Sequence, residues 1–135
     1  LPLAILTSCI YEDSLKPVIP GQLIHANSSK VWVTTRVIKD NEDNLAPVLN
    51  ELKTAYILFE NGTFREQQLI HLGSKNGVVG SYGVSISETN DTSFVFFYPG
   101  NEEEQFQLEF IDSKQMKLSN QDETWFFETL KAPKL

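Results

Sequence analysis

The sequence predicts an all-β chain of about eight antiparallel strands that close into an up-and-down barrel, with one short helix. Three observations carry this reading. From residue 30 onward, short runs of β-forming residues are punctuated by turn residues, the spacing of a sandwich or barrel. The links between runs are nearly all short, which suits strands that pair with their sequence neighbours. The count comes to about eight, the number that closes a small barrel.

"VWVTTRVI", residues 31–38, is the first strand. "NLAPVLNELKTA" follows a charged link and places Leu45, Val48, Leu49 and Leu52 at helical spacing, with Asn44 positioned to cap the first turn, so a helix is expected over residues 44–54. Residues 56–60 and 63–70 form a hairpin. Asn61-Gly62 suits a type I′ turn, which would set Phe59 opposite Phe64. "GSYGVSISE" is the next strand, with Tyr82, Val84 and Ile86 alternating against small polar residues, and Asn90-Asp91 supplies another turn. "SFVFFYP" is apolar on both faces until Pro99 ends it. "EQFQLEFID" alternates cleanly, with Phe106, Leu108 and Phe110 on one face and Gln105, Gln107 and Glu109 on the other. "QMKLS" extends the pattern through Met116 and Leu118, and "TWFFETLK" closes the set.

Composition narrows the class. The 135 residues suffice for one core without covalent staples, and the hydrophobic and charged fractions, 41% and 21%, are those of a folded domain. A net charge of −7 with scattered cations repels phosphate backbones, so no nucleic-acid partner is expected. Cys9 is the only cysteine, which excludes an internal disulfide.

Cys9 closes "LPLAILTSC", an apolar run too short to span a bilayer and read as the tail of a signal peptide. Leu6-Thr7-Ser8-Cys9 resembles the bacterial lipobox, in which the signal is cut before the cysteine and that cysteine carries the lipid. The resemblance implies a lipidated Cys9 and a membrane partner through the anchor. Residues 10–29, with Pro17 and Pro20, read as an extended tether. Glu12-Asp13 is similar to the acidic export signal of Bacteroidetes lipoproteins, which implies the cell envelope, at the outer membrane. The expected organisation is therefore a signal remnant over 1–9, a tether over 10–29 and a barrel over 30–135.

Trp32 in the first strand, the hairpin "LFENGTF", the opening "GSYGV" and the final "ETWFFETL" together resemble the lipocalin-like domains of bacterial lipoproteins, chiefly those of Bacteroidetes. This resemblance spans residues 30–131. It implies an eight-stranded calyx open at one end, often with a small apolar ligand. The first-strand Gly-x-Trp signature and the disulfides of the larger secreted lipocalins are absent, so no specific ligand class carries over.

The candidate ligand-binding set follows from the alternation. Phe59, Phe64, Tyr82 and Val84 are expected to face inward from the earlier strands, and Phe106, Leu108, Phe110 and Met116 from the later ones. Glu66 and Gln68 share the face of Phe64, and a carboxylate is tolerated there only near water. They are expected at an open mouth; a bulge before Glu66 would instead turn both outward. Arg36 shares the parity of Trp32 and is a candidate partner for such a carboxylate, against the plainer reading of an exposed strand arginine. An aromatic surface in the Phe94–Tyr98 run, covered by the helix or by a protein partner, gives the alternative function: a filled barrel acting as an interaction module of the envelope.

Catalysis, metal and cofactor find no motif. His25 and His71 lack a nucleophile or ligand set at useful spacing. "NEEEQ", residues 101–105, reads as a solvated acidic turn rather than an organised cation loop. The sequons at Asn27, Asn61 and Asn90 fall in turns that favour Asn for backbone reasons.

Overall fold

The structure is a computed structural model that describes residues 21–47 and 49–130. A short helix, α1 (Gly21–His25), precedes nine strands: β1 (Ser29–Lys39), β2 (Glu42–Leu45), β3 (Thr54–Phe59), β4 (Thr63–Gln68), β5 (Val78–Ile86), β6 (Thr92–Tyr98), β7 (Glu102–Ile111), β8 (Gln115–Ser119) and β9 (Glu123–Thr129). All pairings are antiparallel. The order runs β2-β1-β3-β4-β5-β6-β7-β8-β9, and a further β1–β9 ladder closes β1 and β3 to β9 into an eight-stranded barrel. Strand β2 is a ninth, outside that ring, beside the upper half of β1 where β3 has already ended.

The expected helix over 44–54 is not formed. Asp40 and Asn41 both take positive φ, 52° and 65°, and turn the chain so that β2 pairs back on β1. Pro47 would remove a helical donor and clash with the preceding turn. The leucines that suggested an amphipathic helix bury little: Leu45 is 76% exposed, and residues 50–52 make one 3-10 turn. The short helix lies instead at α1, within the segment expected to be a tether. It packs against one end of the barrel through Ile24, whose carbonyl accepts a hydrogen bond from Trp32 Nε1 at 3.0 Å. Lys30 Nζ donates to the Leu23 carbonyl at 2.8 Å and lies 4.3 Å from the centre of the Trp32 ring.

Alternate residues of each strand face inward, and the inward set is aromatic. Trp32, Phe64, Phe94, Phe96 and Phe127 are fully buried with Leu58 and Leu118. Phe96 occupies the waist, its ring centroid 5.0–6.5 Å from those of Tyr56, Phe64, Phe94, Tyr98 and Phe106. Gly80 faces this cluster. A Cβ there would lie 2.8 Å from the Phe64 ring and 2.1 Å from the Phe97 carbonyl oxygen, so the missing side chain is what lets Phe64 lie against β5.

Three irregularities reverse expected orientations. The β3–β4 loop has three residues rather than two: Gly62, at φ 86°, donates its N–H to the Phe59 carbonyl at 3.1 Å, and Leu58 pairs with Phe64. Phe59 therefore faces outward. The register of β7 on β8 shifts between Leu108 and Phe110, which turns Phe110 outward, 49% exposed, and Ile111 inward opposite Met116. A shift in β1 between Thr34 and Arg36 puts Arg36 on the outer face. There it pairs with Asp43 of β2 and lies over the Phe126 ring.

Candidate functional site at the barrel mouth

The two ends of the barrel differ in chemistry. At one end lie α1, the β3–β4 turn and the buried Trp32. At the other, the inward face turns polar in several strands at once. In β4, Phe64 is followed by Glu66 and then Gln68, paired with Tyr56 and Thr54 of β3. In β7, Glu104 precedes Phe106, and in β9, Glu123 precedes Trp125 and Phe127. The last residue of β1, Lys39, pairs with Glu123, and the two side chains form an ion pair at 3.5 Å.

These residues are one constellation. The Tyr56 hydroxyl donates to Glu66 Oε1 at 2.6 Å, and Tyr98 lies against both. Burial and the Glu66 charge push the Tyr56 hydroxyl far above the ordinary phenol range, so it stays a donor. Tyr98 is pushed up for the same reasons, with Glu104 adding to the effect. Trp125 Nε1 donates to Glu123 Oε2 at 3.0 Å, and its ring lies 4.6 Å from Phe106 and 5.9 Å from Tyr56.

Glu104 is the strained member. Its Oε2 is buried without a hydrogen-bond partner among the described residues. Burial, and then the charges of Glu123, Glu66 and Glu102, raise its carboxyl above the ordinary range, with Lys39 opposing. Thr34 Oγ1, on the inward parity of β1, is likewise buried and unpartnered.

The sequence-predicted set divides around this picture. Phe64, Tyr82, Val84, Phe106, Leu108 and Met116 do face the interior, where they join the aromatic core. Tyr82 stacks on Phe94 at 5.7 Å and donates its hydroxyl to the Phe59 carbonyl at 2.6 Å. Glu66 is inward and half-buried, and Gln68 is exposed at the end of β4. Phe59 and Phe110 are outside, for the loop and bulge reasons given above. Arg36 is the exposed strand arginine rather than a partner for Glu66. Phe94, Phe96 and Tyr98 face inward, which leaves Val95 and the 43% exposed Phe97 as the outer apolar surface of that run. Cys9 lies outside the described residues.

Tyr56, Tyr98, Glu104, Glu123, Trp125 and Lys39 were missing from the sequence-predicted site. The signal for Glu104 was present: it shares the parity of Phe106 and Leu108, the same break from apolar to charged that singled out Glu66 after Phe64.

Hollows open near this end. One of about 590 Å³ is lined by Lys39, Asp40, Glu103, Glu104, Asp122 and Glu123 among others, and one of about 400 Å³ lies by Glu66, Gln68, His71 and Asn76. Among the described residues no cluster of three or more His, Cys, Asp or Glu side chains has a geometry that could hold a metal ion. The arrangement can accept hydrogen bonds and positive charge over an aromatic floor.

No protein-family model matches the sequence, and no significant match is found among curated proteins. Solved structures do match. The crystal structure of a lipocalin-like protein from Bacteroides uniformis superposes with a TM-score of 0.59 at 11% identity, covering 80% of this chain and 99% of that one. An uncharacterized protein from Bacteroides eggerthii gives 0.57 at 14% identity, over 75% of this chain and 98% of its own. At such identities the likeness establishes the fold: the domain is a lipocalin-like barrel.

Proposed function

We propose that this lipocalin-like barrel is a membrane-anchored binding module that takes a small, mainly apolar ligand at its mouth. Lipidation of Cys9 would supply the anchor, with the segment after it as the tether and the outer membrane of the bacterial envelope as the location. The barrel would then work in water beside the membrane. No reaction is assigned.

The single observation that supports a mouth site is the change in lining along the barrel. Below the mouth, Phe96 packs against Phe64, Phe94 and Phe106, so an apolar chain has little room to enter deeply. At the mouth, Trp125 and Tyr98 offer apolar surface beside three carboxylates. A ligand whose apolar body rests on these rings and whose polar end donates to Glu66 or Glu104 fits that surface.

Trp125 is the reporter. The chain has two tryptophans, and Trp32 is buried at the opposite end. Titrating probes of matched apolar body carrying an amine, a hydroxyl or a carboxylate should change tryptophan fluorescence, with the amine strongest and the response lost in Trp125→Phe. No saturable response to any probe, or one that survives Trp125→Phe, overturns the mouth site. Mass spectrometry of protein extracted from its native membrane tests the anchor, through a lipid on Cys9, and captures the ligand.

The alternative, an interaction module with a filled barrel, is favoured by the same aromatic packing at the waist. A stoichiometric protein partner without copurified small molecule supports it.

A further inference from the structure

The upper half of β7 has a partner on one side only. Residues Glu102–Gln107 pair with β6, but pairing with β8 begins at Gln107 opposite Ser119 and continues downward. The cause is a mismatch in height. The β8–β9 hairpin turns over at residues 120–122, while β7 runs on to Glu102, leaving about 17 Å of strand edge above it.

Alternate residues of a strand point their backbone groups to opposite neighbours. The Gln105 carbonyl faces Asn120, just past the end of β8, so Gln105 and Glu103 present their N–H and C=O groups to that open side. The only bond reaching them among the described residues is from the Asn120 side chain, whose Nδ2 donates to the Gln105 carbonyl at a long 3.4 Å. An amide side chain thus stands where a strand would.

The hollow of about 590 Å³ borders this edge. Around it stand Asp40, Glu103, Glu104, Asp122 and Glu123 against one cation, Lys39. This charge excludes one occupant: a second copy of the chain would bring its own Glu102, Glu103 and Glu104 against these, and charged edges discourage self-pairing. It favours another.

We propose that the free edge of β7 from Glu102 to Phe106 binds an extended, basic peptide segment by strand addition. The peptide backbone pairs with Glu103 and Gln105 and displaces the Asn120 amide, while its Lys or Arg side chains meet the carboxylates of the hollow. The inference goes beyond the mouth site. Its main contacts are backbone groups of the barrel wall, so either can fail without the other.

The test uses the full chain, labelled for amide NMR, and a peptide alternating lysine with valine. Binding should slow exchange of the Glu103 and Gln105 amides at least tenfold, weaken with salt, and be lost with the matched peptide carrying glutamate for lysine. Gln105→Pro removes a donor the sheet does not use and should weaken binding tenfold or more. Should that variant fail to fold, the same peptide N-methylated at alternate residues replaces it, since methylation abolishes strand pairing and keeps the charge. Equal affinity for the N-methylated peptide means attraction by charge alone and overturns the proposal. So does absence of binding at millimolar peptide, or protection of these amides that rises with protein concentration in the absence of peptide, which would make the occupant a second copy.

Discussion

Phe96 illustrates how one side chain decides what the interior can do. It touches five rings from β3, β4, β6 and β7, so its removal would both withdraw apolar burial and open a hole at the waist. Phe96→Ala is expected to cost about 3–5 kcal/mol, measured by urea denaturation. A loss below 1 kcal/mol would mean that the waist is loosely filled. Glu104 gives a prediction of opposite sign. Its folded carboxyl is raised, so the fold favours the protonated form: the group carries no penalty below the unfolded carboxylate range, and stability falls as pH rises through the folded value. Glu104→Gln should therefore stabilise at pH 7, with the gain vanishing as the pH falls below the unfolded carboxylate range. A gain that persists at low pH would assign the effect to packing. Glu66 was legible in the sequence because a charge follows an aromatic on one strand face. Phe59 and Phe110 were not, because a third loop residue and a bulge each shift parity, and neither leaves a mark in the alternation itself.

Elements depend on where backbone groups find partners. The run at residues 44–54 has helical leucine spacing, but Asp40-Asn41 offers a tight turn and β1 has a free edge above β3, so the first residues pair as β2 instead. Periodicity alone could not weigh that edge. Helix α1 was illegible for a related reason: five residues are too few to show a period, and what fixes them is a distant bond from Trp32 to the Ile24 carbonyl. Trp32→Phe keeps most of the burial and removes that donor. The expected cost is about 1–3 kcal/mol, with the amides of residues 24–28 exchanging faster than in the parent protein. If exchange there is unchanged, α1 is held by Ile24 packing rather than by the indole.

Closure is the property of the whole molecule that the alternation and strand count made legible, and it rests on the β1–β9 ladder between the first and last strands. The ladder runs from Trp32 opposite Thr129 to Lys39 opposite Glu123, and it leaves no seam between the first and last strands. A closed barrel opens cooperatively, because separating any pair of long strands disrupts the aromatic core they share. Native-state hydrogen exchange should therefore give nearly one opening free energy for the paired interior amides of β1, β3 and β4 to β9. Strand β2 should exchange by a local opening at much lower cost, since all four of its residues are exposed and it pairs only with β1. If β9 instead exchanged together with β2, ahead of the other strands, the first and last strands would form a weak join and the sheet would behave as open. The mouth would then be a movable lip, and Lys39–Glu123, which closes the ladder at the rim, would be the latch to remove next.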